Sequence, residues 1–451
     1  MSDNQTKSWM CSECGLIFHG DRAPAKCPDC GASRDSFMLD QDKSISINQP
    51  NITRFVIIGS GIAGISAAET IRKHDPQASI QVITSEHELP YYRMNLTRYL
   101  AGELDAGKLS LHPQAWYAQN RIDLKLDRTV SQLLPAEKAI LLLDGTRVPY
   151  DILILAVGAH PYVPPLKGVE LKNVLTIRTI EDVDQLLAGC CEPIDVVCIG
   201  GGLLGLEIAG AIQRRDARVK VIESLPWLLP RQLDQVGGRI LEEKINALGI
   251  NVLTAAKTSA LLGDGTVNAV QLEDGRVLSA DLVVISTGVS ANLELARQAG
   301  LAVNRGIIVD DHLMTSQPDI YAAGDDTEHH GRMYGLWVPA KTQGTIAGLA
   351  ATGQETVFED FAPSAKLKVL GIDLFSIGQI STQDPGDVVI SQVENGNYAS
   401  LVFHQGMLIG AILLGDAHLA TAVKTAIDEK RSFGDRIRTG MSLAEVAQLL
   451  K

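Results

Sequence analysis

Residues 54–71 read RFVIIGSGIAGISAAETI, and their organisation decides the fold. An apolar run with the character of a strand leads into Gly59-x-Gly61-x-x-Gly64, and an alanine-rich helical stretch follows. Glycines at this spacing allow a tight turn, a close approach of backbone to a pyrophosphate and tight helix packing, while the helix N-terminus adds positive dipole. A second apolar run, SIQVIT at 79–84, ends just before Glu86, which lies 27 residues beyond Gly59. That is later than the usual spacing of about 20, and it still puts a carboxylate where it can accept from an adenosine ribose. The segment predicts a dinucleotide-binding βαβ unit.

Outward from this unit the pattern recurs. Residues 194–212, IDVVCIGGGLLGLEIAGAI, set Gly200, Gly202 and Gly205 at the same spacing, and ARVKVIE at 217–223 ends on Glu223. An acid at that strand end accepts from a ribose 2′-hydroxyl and repels a 2′-phosphate, which favours NADH over NADPH, although Arg231 lies nearby. Two glycine motifs 141 residues apart imply two different dinucleotides in one chain. Composition agrees with a soluble, multidomain protein: 451 residues suggest about three domains, with 45% hydrophobic and 21% charged residues. Forty Lys and Arg against 53 Asp and Glu leave a net charge of −13, which argues against a nucleic-acid partner. No run approaches the ~20 apolar residues of a membrane span. The polar start, MSDNQTKSWMC, has no signal-type hydrophobic run, so a cytoplasmic location is expected.

Seven cysteines are spent unevenly. Cys11, Cys14, Cys27 and Cys30 make two C-x2-C pairs separated by 12 residues, each followed directly by a glycine (Gly15 and Gly31). Such turns point two sulfurs to one side, and four thiolates in a tetrahedron suit Zn2+ or an iron centre. The odd total and the absence of an export signal argue against a disulfide framework. An inert zinc ribbon and a one-electron Fe(Cys)4 centre both satisfy the spacing. Cys198, inside an apolar strand, is expected in the core. Cys190 and Cys191 fall in a loop, and His329 and His330 are expected in a solvated loop.

WMCSECGLIFHG at 9–20, KCPDCG at 26–31 and Phe37 resemble a rubredoxin, in particular the shortened rubredoxin-like module of rubrerythrins, although the spacer is shorter than in ordinary rubredoxins. TSQPDIYAAGDDTEH at 315–329 is similar to the second flavin motif of the FAD/NAD(P)-linked pyridine nucleotide-disulfide reductase superfamily. LILAVGAHP at 153–161 and LVVISTGVSAN at 282–292 resemble the strands that join its FAD and NAD domains. Members that reduce disulfides carry redox cysteines soon after the first glycine motif. Residues 31–189 contain none here, and LPYYRMNLTRYLAGE at 89–103 instead resembles NADH:rubredoxin oxidoreductase and the FAD/NAD part of assimilatory nitrite reductase.

The resemblance implies FAD, NAD(P)H and an Fe(Cys)4 centre as cofactors, with zinc the less favoured metal. It implies that Gly324 and Asp325 meet the flavin ribityl chain, that Arg93 lies on the FAD, and that Val130, Glu207, Val338 and Lys368 hold flavin-contacting positions. YGLWVPAKTQGTIAGLA at 334–350 resembles the flavin-facing helix start, where Pro339 and Ala340 act through their backbone. No catalytic acid or base is implied for hydride transfer. The tail, with KLKVLGIDLFSIGQI, NYASLVFHQGMLIGAILLGD and HLATAVKTAIDEK, reads as hairpins and a helix and resembles the C-terminal domain of the same group.

The expected architecture is therefore two Rossmann-like domains for FAD and NAD(P), a small rubredoxin-like metal-knuckle domain before them and an α+β domain after them. Expected bounds are 1–39 for the knuckle, 40–53 for a linker, 54–160 and 286–357 for the FAD domain, 161–285 for the NAD(P) domain and 358–451 for an interface domain. An interface role for the tail is compatible with a homo-oligomer. The linker's 14 residues could span roughly 45–50 Å, a tether giving effective concentrations of order millimolar. The implied function passes electrons from NADH through FAD to the Fe(Cys)4 centre and on to an external protein acceptor: rubredoxin, a flavodiiron-type protein or a nitrate- or nitrite-reducing enzyme. Three alternatives stand beside it. They are an electron-transfer component of nitrate or nitrite assimilation, an NADH oxidase carrying a structural zinc ribbon, and a flavoprotein whose zinc module only docks a partner.

Overall fold

A computed structural model describes residues 8–12, 16–19, 22–39, 54–189, 194–360, 364–382 and 384–450. Cys14, the Cys190 and Cys191 pair and the 40–53 linker lie outside the described residues. The chain divides into two compact units, one of residues 1–95, 106–160 and 289–360, the other of 96–105, 161–288 and 361–451.

The first unit centres on a five-stranded parallel sheet in the order Ile320–Ala322, Ile152–Leu155, Arg54–Ile58, Ser79–Ile83, Ile122–Lys125. Phe55 to Ile58 are all buried, as expected where both faces of a parallel sheet are covered. Register sets Ile58 beside Leu155 and Ile83, so the three strands end level with the glycine turn that follows. Helix Ile62–His74 packs against helix Trp337–Ala351 so closely that a Cβ on Gly344 would fall 2.1 Å from the Ala63 carbonyl oxygen. An antiparallel meander, Val130–Leu134, Ala139–Leu142 and Arg147–Pro149, completes the nucleotide-binding plan. The N-terminal knuckle has a three-stranded sheet, Ile17–His19, Ser8–Cys11 and Phe37–Leu39. Among the described residues its core comprises Cys11, Ala23, Cys27, Ala32 and Phe37, with Trp9, Leu16, Phe18 and Cys30 packed against it.

The second unit repeats the plan with a parallel sheet in the order Val174–Leu175, Leu282–Ile285, Asp195–Ile199, Arg218–Ile222, Asn251–Leu253. Its meander is Thr258–Asp264, Thr266–Leu272 and Val277–Ser279. Cys198 is fully buried between Val221 and Val284, the core position expected of it. The tail forms a five-stranded antiparallel sheet in the order Ser364–Val369, Ile372–Gly378, Met407–Leu414, Asn397–His404, Asp387–Glu394. Leu401 and Phe403 share a core with Val423 and Ala426 of helix Ala420–Asp428 and Val446 of helix Leu443–Leu450, an α+β arrangement. Leu370 packs on Gly210, and the Tyr398 hydroxyl donates to Asp234, which caps helix Gln235–Ala247, so the tail grips the nucleotide fold of this unit.

One expectation is corrected. His329 does not lie in a solvated loop; it ends strand Thr327–His329, which pairs in parallel with Ile307–Val309, and it is only 1% exposed. Strand pairing buries the ring, and two carboxylates satisfy it, while His330 alone reaches solvent. No helix among the described residues is long and apolar enough to cross a membrane.

Candidate functional site: two dinucleotide turns and a thiolate cluster

The three glycines of each turn divide the work in the same way. Gly59 takes φ +105°, and a Cβ there would lie 2.0 Å from the Ala156 carbonyl oxygen; one on Gly64 would lie 2.1 Å from the Gly59 carbonyl oxygen. Gly200 (φ +117°) meets Ser286 at 2.2 Å and Gly205 meets Gly200 at 2.1 Å in the same sense. These four glycines lock turn, strand and helix together. Gly61 and Gly202 differ, because nothing lies within 4 Å of where their Cβ would be. Each is also the N-cap of its helix and, being glycine, brings no side chain to cap the first-turn amides. By contrast, helix Gln235–Ala247 has its first turn closed by the Asp234 carboxylate. Two open helix N-termini, each fronted by a glycine with free space, suit the pyrophosphates of two dinucleotides.

The acids after the second strands are held in different ways. Glu86 accepts from the Tyr91 hydroxyl at 2.7 Å and from Arg93 at 2.5 Å. Burial works against the Arg93 charge, but Tyr91, Glu86 and Asp325 outweigh it and raise its pKa. Glu223 is buried against its own glycine turn, accepting from the Gly201 amide at 2.9 Å and the Leu225 amide at 2.8 Å. The oxygen bonded to Leu225 also accepts from the Ser224 hydroxyl at 3.3 Å, while the one bonded to Gly201 keeps a further lone pair for a sugar hydroxyl.

In the second flavin-type motif, Gly324 takes φ +112° and donates its amide to Gln343 Oε1 at 2.9 Å. Gln343 is 1% exposed, and among the described residues its Nε2 has no hydrogen-bond partner. An orphaned buried donor beside the Gly324–Asp325 turn fits a bound group carrying an acceptor, as FAD does. Asp325 is partly buried within electrostatic reach of Arg93. Asp326 is fully buried, accepts from the Val157 amide at 2.8 Å and from the Thr327 hydroxyl at 3.2 Å, and is pushed up to about 8 by burial. The sequence reading named Asp325 and passed over Asp326 and Gln343; the doubled acid in GDD was the available signal.

The remaining expected contacts are dispersed. Val130 is buried in the first unit's meander opposite Leu142, and Val338 is half-buried in the first turn of helix Trp337–Ala351. Pro339 and Ala340 are buried in the same turn. Glu207 and Lys368 belong to the second unit. Glu207 accepts from the Thr97 hydroxyl at 3.2 Å, and burial pushes its carboxyl up to about 7. Lys368 is paired in register with Asp373.

In the knuckle, the Cys11, Cys27 and Cys30 sulfurs all lie within 4.8 Å of one another, with Cys11 and Cys30 3.6 Å apart. A tetrahedron of ~2.3 Å metal–sulfur bonds has edges of about 3.8 Å, so this cluster has the dimensions of a thiolate metal site. All-sulfur donors suit zinc or iron. Lys341 Nζ lies 3.4 Å from the sulfur of Met10, the residue before Cys11, which sets the knuckle against helix Trp337–Ala351. Nothing in the sequence signalled that contact.

Comparison with known proteins follows this division of the chain. Residues 53–344 match the family model of the pyridine nucleotide-disulphide oxidoreductases. Residues 363–431 match the rubredoxin NAD+ reductase C-terminal domain, and 9–38 the rubredoxin-like domain of rubrerythrin. A nitrite reductase [NAD(P)H] of Bacillus subtilis is 34% identical over 81% of this chain and 46% of its own length. The chain spans about half the length of the first curated relatives it matches. An NADH-rubredoxin oxidoreductase of Clostridium acetobutylicum is 32% identical over 84% of this chain and 96% of its own. Among solved structures, the covalent putidaredoxin reductase–putidaredoxin complex matches with a TM-score of 0.78 and 25% identity, covering 84% of this chain and 94% of that one.

Proposed function

The chain belongs to the pyridine nucleotide-disulphide oxidoreductase family, and on that premise we propose that it is an FAD-dependent NADH oxidoreductase. In this reading electrons pass to an Fe(Cys)4 centre at Cys11, Cys14, Cys27 and Cys30 and on to an external protein acceptor. The observation that carries the reading is the 3.4 Å contact between Lys341 and Met10, because it rests the thiolate cluster on the helix whose start is expected to face the flavin. FAD, when bound, supplies the conversion between a two-electron hydride donor and a one-electron acceptor. The chain's own residues position and bias. The Gly61 and Gly202 turns receive the two pyrophosphates. Glu223, oriented by the Gly201 and Leu225 amides, accepts a ribose hydroxyl and repels a 2′-phosphate, which selects NADH. Arg93, Asp325 and Gln343 hold the flavin side, and Val130 and Val338 add contacts to it.

In the same reading, 54–160 and 286–357 are the flavin-binding part, 161–285 binds the nicotinamide cofactor, and 358–451 is an interface domain. Thiolate ligation and a pyridine-nucleotide donor both suit a reducing compartment, so the protein is assigned to the cytoplasm. The identity to the B. subtilis nitrite reductase favours a second reading, an electron-transfer component of nitrate or nitrite assimilation. The two differ only in the final acceptor.

Metal analysis and the visible spectrum of anaerobically prepared full-length protein test the proposal. Iron in four thiolates is coloured, and NADH should bleach its band together with the flavin band. Deleting residues 1–45 should leave NADH-driven bleaching of the flavin intact and abolish reduction of the acceptor. Zinc as the sole metal, or unchanged acceptor turnover in the truncated protein, overturns it. Turnover with rubredoxin against a nitrite-reducing enzyme then separates the two acceptors.

A further inference from the structure

We propose that Asp311, His329 and His330 form a second metal site, for a divalent cation of the zinc type, unrelated to the cysteine cluster. The three residues lie in the first unit, at the ends of the paired strands Ile307–Val309 and Thr327–His329. His329 Nε2 lies 2.9 Å and His330 Nε2 3.1 Å from the same Asp311 oxygen, and all three ligand atoms fall within 4.8 Å of one another. Metal–ligand bonds of about 2.0–2.2 Å separate neighbouring donors by about 3.0–3.5 Å, and the two edges that meet at Asp311, 2.9 and 3.1 Å, are close to that spacing.

The surroundings are those of a ligating histidine. His329 Nδ1 faces Asp360 at 3.1 Å, and the same Asp360 oxygen accepts from the Tyr334 hydroxyl at 2.6 Å. A carboxylate on one ring nitrogen fixes the tautomer and presents the other nitrogen's lone pair to a metal. Consecutive strand residues point to opposite faces, so two neighbouring histidines meet at one carboxylate only if the backbone turns between them. It does: His330 takes φ +47° and Gly331 +75°, closing a two-residue hairpin in which the His329 and Arg332 backbones bond in both directions. Turns of this kind favour Asn or Gly at the first position, and an imidazole held there is the sort of local strain that accompanies a site. The two rings end 3.9 Å apart, centre to centre.

His329 is 1% exposed while Asp311 and His330 are 54% and 61% exposed, so one ligand is anchored and a further coordination position opens to water. Two imidazoles and one carboxylate suit zinc and its neighbours rather than calcium or magnesium, which require more oxygens. The rival account is a buried imidazolium clamped between Asp311 and Asp360, with no metal.

The two accounts separate in the full-length protein carrying FAD and with its cysteine cluster already metallated. Calorimetric titration with Zn2+ should find one additional equivalent. His330→Ala and Asp311→Asn, both at exposed positions, should weaken that binding by at least about tenfold, and Tyr334→Phe by about tenfold through loss of orientation. Added zinc should raise the melting temperature of the parent but not of His330→Ala. Absence of the additional equivalent, or equal affinity in the parent, His330→Ala and Asp311→Asn, overturns the proposal. If His330→Ala does not fold, Asp311→Asn, which preserves side-chain shape, decides alone.

Discussion

Asp326 shows how far one residue's chemistry depends on its surroundings. Its neighbour Asp325 is partly exposed, whereas burial holds the Asp326 carboxyl at about 8, against an ordinary 3.8. The folded chain therefore keeps a proton there that the unfolded chain releases above pH ~4, and stability falls as pH rises from about 4 to 8. The limiting slope for one such group is about 1.4 kcal/mol per pH unit. Asp326→Asn mimics the protonated form, so it should flatten this part of the stability profile and be the more stable protein at pH 9; parallel denaturation profiles for the two proteins would show an ordinary carboxylate. The glycines make a matching pair of predictions. Gly61→Ala, at φ −67° with open space around it, should leave the apoprotein's melting temperature within a degree or two while flavin retention drops sharply. Gly59→Ala, with a Cβ driven into the Ala156 carbonyl, should instead destabilise the apoprotein itself, by about 2 kcal/mol or more.

Among elements, the pairing of helices Ile62–His74 and Trp337–Ala351 joins the first glycine turn to the proposed flavin-facing helix start. Gly344 and Gly348 allow it, since their Cβ atoms would meet the Ala63 and Ala67 carbonyls at 2.1 and 2.9 Å. Gly344→Ala should force the helices apart, cost roughly 1–3 kcal/mol and lower flavin affinity. Unchanged thermal stability and unchanged flavin titration together would refute that coupling. The first helix was legible from the sequence as a strand–glycine–helix pattern, and the second from the resemblance of residues 334–350 to a flavin-facing helix start. Their contact was not, because residues 63 and 344 meet only once the chain has passed through the parallel sheet of the second unit.

On the scale of the whole molecule, stability is divided unequally. The two parallel sheets and the tail sheet have extended apolar cores, whereas among the described residues the knuckle core is Cys11, Ala23, Cys27, Ala32 and Phe37. A core that size cannot offset the ordering entropy of some thirty residues, so metal binding must supply the difference. Removing the metal by acid and chelator should expose 9–38 to protease while the principal melting transition moves by less than a few degrees; a knuckle that stays protected without metal would contradict this.

The sequence by itself determined the repeated nucleotide-binding plan, the thiolate knuckle and the all-apolar central strands, because each depends on local spacing: glycines at a turn, cysteine pairs on a knuckle, continuous apolar runs in a parallel sheet. It could not determine which of two adjacent acids is buried, that Glu223 is held by its own glycine turn, or that Met10 touches Lys341. Nor could it find the Asp311–His329–His330 triangle, whose residues look like solvated polar positions when read in a line. Those outcomes depend on burial and on contacts between segments far apart in the chain, and only tertiary packing sets both.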